Sequence, residues 1–135
     1  MSYRILFLED EEDLVEDLPR LYKQRGIEIV GTISIPDALR LLKEEHFDAV
    51  LLDIIMPPTE DMDAERVDYG RRTGVEVVRR MKKIKPHIPI VALTVITDPE
   101  IRTEIYKAGV KTIINKPADP ERIYEELQRV LKQSR

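Results

Sequence analysis

The sequence predicts an α/β fold built on a parallel β-sheet with helices on both faces. Three observations lead there. Five short apolar, β-branched runs recur along the 135 residues. Helix-periodic segments fall between them, so the order reads βαβαβαβαβα. Three of the runs are apolar almost without a break, which suits strands covered on both faces. Alternation with short connections then implies right-handed crossovers. At roughly 100–200 residues per domain, the chain has room for one core, so residues 1–135 read as a single domain.

The first run is Ile5-Leu6-Phe7-Leu8. After it, Leu14, Val15, Leu18, Leu21 and Tyr22 are spaced as one helix face, with Pro19 inside the segment. The second run is Ile27-Glu28-Ile29-Val30, and Ala38, Leu39, Leu41 and Leu42 form a short helix after it, with Pro36 near the first turn. The third run is Ala49-Val50-Leu51-Leu52; Val75, Val77, Val78, Met81 and Ile84 make the next helix, which stops before Pro86. Ile88-Pro89-Ile90-Val91-Ala92-Leu93 is the fourth strand. Asp98-Pro99 opens a helix with a cap and a proline at its first position, and Gly109 ends it. Thr112-Ile113-Ile114 is the fifth strand, and Asp119-Pro120 opens the last helix, with Ile123, Tyr124, Leu127, Val130 and Leu131 on one face.

The strand centres near Ile5, Ile29, Val50, Ile90 and Ile113 are 24, 21, 40 and 23 residues apart. The third crossover is therefore too long by about one loop. The surplus, residues 58–73, is polar and carries five acids and three arginines. It reads as a solvated loop with one extra helical turn, or as a lid or partner-recognition element in which Arg71 or Arg72 reaches the acidic pocket described below.

Charge is uneven. The net charge is −4, yet residues 1–18 alone carry −6 and the remainder +2. A basic footprint for nucleic acid is absent. No run approaches the ~18–20 apolar residues of a membrane span. With no cysteine and two histidines, thiolate chemistry is excluded and a His-rich metal site is disfavoured. A cysteine-free chain that opens straight into a strand suggests a cytoplasmic location without membrane insertion. Glu11, Glu12 and Asp13 fall at the start of the first helix, where they suit its dipole.

Ligands of parallel α/β sheets sit beyond the carboxyl ends of the strands. Glu9 and Asp10 follow strand one, Asp53 ends strand three, Thr94 ends strand four and Lys116 follows strand five. The sheet brings these distant residues to one edge. Asp53 lies between Val50-Leu51-Leu52 and Ile54-Ile55-Met56-Pro57, so its carboxylate is placed among buried neighbours and needs a partner or a cation. Three carboxylates crowded together invite a hard divalent cation, and Mg²⁺ suits an open oxygen site. A Lys ammonium beside them would help neutralise an incoming phosphoryl group. Asp53 could then attack phosphorus and form an acyl phosphate, with the Thr94 hydroxyl donating to a phosphate oxygen.

The motif set is Leu8-Glu9-Asp10-Glu11, then Leu52-Asp53-Ile54-Ile55-Met56-Pro57, then Ala92-Leu93-Thr94, then Asn115-Lys116-Pro117. In this order on a (βα)₅ pattern, the chain resembles the receiver domain of two-component response regulators over nearly its whole length. The resemblance implies a flavodoxin-like fold with strand order 2-1-3-4-5. It implies Asp53 as phosphoacceptor, Asp10, Asp53 and the carbonyl of Ile55 as direct Mg²⁺ ligands, and Glu9 acting through water. Thr94 and Lys116 would contact the phosphoryl group, and the Lys116–Pro117 bond would be cis. Phosphate would come from a sensor histidine kinase or phosphotransfer protein and the signal would pass to a protein target. The fourth helix, fifth strand and fifth helix would be the output face. The only catalysis implied is of its own phosphorylation and dephosphorylation. With no output domain after Arg135, a single-domain regulator or an excised receiver is expected.

Three features depart from the pattern. The acid pair is Glu9-Asp10 where Asp-Asp is usual. Ile113 stands where receivers often carry an aromatic switch. Gly74 comes 17 residues after Pro57, where a few are normal. A flavin-binding protein would want a Ser-, Thr- and Gly-rich loop after strand one, which here is acidic. A haloacid dehalogenase-type phosphatase would want an Asp at Ile55. The remaining alternative is a degenerate receiver used as a phosphorylation-independent binding scaffold.

Overall fold

The computed structural model describes residues 2–133, with backbone only for residues 12–14. Strands are β1 (Tyr3–Leu8), β2 (Ile27–Thr32), β3 (Ala49–Asp53), β4 (Ile90–Thr94) and β5 (Thr112–Asn115). Helices are α1 (Glu12–Tyr22), α2 (Ile35–Glu44), α3 (Thr73–Ile84), α4 (Pro99–Ala108) and α5 (Pro120–Gln133). All pairings are parallel, in the order β2-β1-β3-β4-β5. This is the flavodoxin-like order. The three continuous apolar runs are the three inner strands, and β3 and β4 are buried at every position.

Period-two alternation sorts the strand residues into two cores. Leu6, Leu8, Val50, Leu52, Ile90, Ala92 and Ile113 face α2, α3 and α4. Ile5, Phe7, Ala49, Leu51, Val91, Leu93 and Ile114 face α1 and α5. Asp53 therefore continues the side of Leu51, and Thr94 the opposite side, that of Ala92. This parity matters for the site.

The helix boundaries follow local chemistry. Ser34 Oγ accepts from Asp37 N at the start of α2, and Asp98 Oδ1 accepts from Glu100 N at the start of α4. Asp119 Oδ1 accepts from Arg122 N at the start of α5. Gly109 ends α4 in the left-handed region at φ 119. Pro19 sits inside α1, as its sequence position requires. The side chains of Glu12, Asp13 and Leu14, read above as dipole acids and part of an apolar face, lie outside the described residues.

The segment between β3 and α3 is not simply a solvated loop. Met62 and Val67 are buried in the α2–α4 side core. Met56 N donates to Gly70 O at 3.2 Å and Gly74 N to Ile54 O at 2.8 Å, so the segment is stitched back to the end of β3. A short 3-10 turn at Asp68–Gly70 precedes α3, with Asp68 and Tyr69 at positive φ. Among the described residues, no helix is long and apolar enough to cross a membrane.

Candidate functional site

The site forms where the sheet order brings the ends of β1, β3 and β5 together. Glu9 continues β1, its N–H donating to Thr32 O at 3.2 Å. It alternates with Phe7, so its side chain turns to the α1–α5 side, the side of Asp53. Lys116 leaves β5 with its N–H on Thr94 O at 2.9 Å, and the bond to Pro117 is cis, as the resemblance implies. The Lys116 ammonium donates to Glu9 Oε2 at 2.9 Å and to Asp53 Oδ2 at 3.3 Å. Residues 63 and 107 positions apart in sequence thus meet at one nitrogen.

Carboxylate oxygens of Glu9, Asp10 and Asp53 all lie within 4.8 Å of one another. Glu9 is fully buried and Asp53 is 7% exposed, whereas Asp10 faces solvent. The remaining bonds come from the backbone: Ile55 N donates to Asp53 Oδ1 at 3.2 Å and Glu11 N to Glu9 Oε1 at 3.2 Å. Each is a short turn in which the chain folds back on its own acid. Among the described residues nothing donates to the Ile55 carbonyl, which leaves that oxygen free for another partner.

The electrostatics are those of anions held in a poor solvent. Burial pushes the Glu9 carboxyl up to about 7; the bond from Lys116 opposes this and the Asp53 charge adds to it. Burial also raises Asp53, against the pull of Lys116 and of the Ile55 N–H. For Lys116, burial works to lower the pKa, but its bonds and charges with Glu9 and Asp53 outweigh it, and the ammonium is stabilised. One cation faces three acids. The donor set is all oxygen, anionic and partly open, which fits a hard divalent ion.

Thr94 is fully buried at the end of β4, and its Oγ1 accepts from Ile96 N at 3.1 Å. Its side chain follows the parity of Ala92, so it approaches the strand ends from the α2–α4 side. The structure brings Glu9, Asp53 and Lys116 into direct contact, sets Asp10 beside them and holds Thr94 one strand away.

The structure adds contacts that the sequence did not specify, and it redirects two arginines. Glu9 is ion-paired directly with Lys116 at 2.9 Å. Arg71 and Arg72 do not reach the acidic pocket. Arg71 pairs with Asp68 at 3.4 Å, and Arg72 pairs with Asp68 at 3.3 Å and with Glu104 of α4 at 2.8 Å. Ile113 is a buried core residue. Gly74 supports the site in a way that its place in the sequence did not reveal. A Cβ there would sit 2.5 Å from Ile54 Cα and 2.9 Å from Asp53 O, so only glycine lets α3 lie against the end of β3. Its neighbour Thr73 is fully buried with no partner for Oγ1 among the described residues, and nothing in the sequence marked it.

Comparison with known proteins agrees with this geometry. Residues 5–128 match the family described as response regulator receiver domain. The chemotaxis protein CheY of Thermotoga maritima is 27% identical over 98% of this chain and 100% of its own length. The transcriptional regulatory protein ZraR of Salmonella typhimurium is 30% identical over 97% of this chain, which spans 27% of ZraR. A receiver domain protein (CheY-like) from Methanospirillum hungatei superposes with a TM-score of 0.83 at 22% identity, over 99% of this chain and 97% of that one.

Proposed function

The chain belongs to the response regulator receiver domain family, and from that premise we propose that it is a phosphorylation switch whose acceptor is Asp53. Supporting this most directly is the Lys116 ammonium, held at 2.9 Å from Glu9 and 3.3 Å from Asp53 within a three-carboxylate cluster. The donor is the phosphorylated imidazole of a histidine kinase or phosphotransfer protein. An Asp53 carboxylate oxygen attacks phosphorus in line. The new O–P bond forms as the P–N bond breaks, and the electron pair leaves with the imidazole.

Each residue has a task that its position supports. Ile55 N–H fixes one Asp53 oxygen and aims the other. Lys116 exchanges part of its pairing with Asp53 for the incoming phosphoryl oxygens. The Thr94 hydroxyl donates to another of them. Glu9, Asp10, Asp53 and the Ile55 carbonyl are the groups that would hold Mg²⁺. When bound, that ion would supply positive charge to offset the anionic charge gathered at the site. The chain works on its own side chain and turns over no separate substrate beyond the phosphodonor, so it acts as a switch in the cytoplasm rather than as an enzyme in the usual sense. Hydrolysis of the acyl phosphate resets it, and the added charge at a crowded strand end is the signal to a protein target.

The test is covalent labelling. With Mg²⁺ and phosphoramidate, wild type gains one hydroxylamine-labile phosphate and Asp53→Asn gains none. Equal labelling of both proteins would assign the acceptor elsewhere. No labelling of wild type, together with no Mg²⁺-dependent beryllofluoride binding, would favour a phosphorylation-independent scaffold.

A further inference from the structure

Positive charge is distributed as unevenly as negative charge in this chain. Arg4, Arg20, Arg25, Arg40, Arg72 and Arg80 all sit in ion pairs. A cleft of about 590 Å³ between α3 and α4 gathers five cations, Arg66, Arg79, Lys82, Lys83 and Lys107, against the single acid Glu76. Arg66 comes from the segment before α3 and also borders both adjoining recesses. Glu76 is already engaged, with Arg80 at 3.4 Å and Arg79 at 3.7 Å. Among the described residues, Arg66, Lys82, Lys83 and Lys107 have no carboxylate partner. Arg66, Lys83 and Lys107 are exposed.

We propose that this cleft is a docking site for an acidic polypeptide segment of a partner protein. The Lys82 amine is partly buried, donates to Ile88 O at 2.6 Å, and is pushed below its ordinary pKa by burial and by Lys111. Among the described residues, four of the five cations that line the cleft lack an internal carboxylate, and carboxylates brought by a partner would supply one. The chemistry favours spaced carboxylates over a nucleic acid backbone. No aromatic ring lines the cleft for base stacking. Glu76 stands among the cations and would face a continuous phosphate backbone. The cleft is separate from the acidic pocket and does not depend on its chemistry.

Fluorescence anisotropy with a fluorescein-labelled deca-glutamate peptide tests the proposal. Wild type should bind it saturably and deca-glutamine not at all, with affinity falling at least fivefold between 50 and 300 mM NaCl. Lys83→Glu with Lys107→Glu should weaken binding at least tenfold, while the equal charge change Arg122→Glu with Lys132→Glu on α5 should alter it less than twofold. In amide spectra of wild type, the peptide should shift α3 and α4 signals, a readout that survives if the variant folds poorly. Equal loss in both double variants, tighter binding of a single-stranded dT oligonucleotide of matching charge, or shifts confined to other helices would each overturn the proposal. So would sedimentation showing that wild type uses this face for self-association, in a form that the peptide cannot displace.

Discussion

Glu9 and Asp53 are carboxylates kept where carboxylates are unfavourable, and the pocket tolerates them because Lys116 and two backbone N–H groups hold them. Asp53 lies above its ordinary pKa because of burial, so its ionised form costs folding free energy. Replacing it with a neutral isostere should relieve that. Without Mg²⁺ at pH 7.5, Asp53→Asn should melt higher than wild type by on the order of 3–8 °C, about 1–2 kcal/mol for a domain of this size. The same variant should lose most of the stabilisation wild type gains from Mg²⁺. A lower melting point would mean that the Lys116 contact outweighs desolvation. Gly74→Ala should do the reverse by a steric route, since its Cβ would meet Ile54 Cα at 2.5 Å. A loss of about 1–3 kcal/mol in denaturant unfolding is expected, and Asp53 labelling should slow as β3's end shifts. Asp53 was legible because a carboxylate between two apolar runs needs a reason. Glu9's pairing with Lys116 was not, because sequence order alone does not say which of three acids an ammonium will choose.

At the level of elements, α4 is held lightly: Ile101 and Ile105 are its buried residues, while Tyr106 is 48% exposed. Arg72, at the start of α3, adds an ion pair to Glu104 at 2.8 Å, with both side chains a quarter to a third exposed. Its own N–H is fixed on Val67 O at 2.8 Å. The long β3–α3 segment is thereby fastened to α4. A double-mutant cycle with Arg72→Gln and Glu104→Gln should give a coupling of about 0.5–1 kcal/mol, screened at high salt. Amide exchange in α4 should quicken in either single variant. Unchanged exchange would show that Ile101 and Ile105 alone set its stability. The five strands and five helices were readable because each repeats a period, of two or of 3.6 residues. The segment from 54 to 72 was not readable. Met62 and Val67 are isolated apolar residues in polar surroundings, and nothing local shows that they enter the core. Arg71 and Arg72 show the same limit. Their nearness to Asp53 along the chain says nothing of Glu104, which lies 32 residues further on from Arg72.

For the whole molecule, the buried pocket makes stability depend on pH in a direction opposite to the usual acid denaturation. Glu9 sits at about 7 against an ordinary 4.5, and Asp53 is raised as well. Between those limits the folded protein holds more protons than the unfolded chain. Stability therefore falls as pH rises through that window. The groups that act otherwise titrate elsewhere. Asp61, lowered by its bonds from Thr59 and Arg80, matters only below its ordinary 3.8, and Lys116, which is raised, matters only above 10.5. Without Mg²⁺, the melting temperature should decline from pH 5 to pH 8. Mg²⁺ bound as proposed would compete with those same protons for the same oxygens, so its stabilising effect should grow over that range and flatten the decline. Glu9→Gln should remove most of the pH slope without Mg²⁺, because it deletes the group that titrates near 7. A melting temperature that rises from pH 5 to pH 8 without Mg²⁺ would show that Lys116 holds both carboxylates ionised throughout. The pocket would then be a settled ion-pair network rather than an acid cluster waiting for a cation.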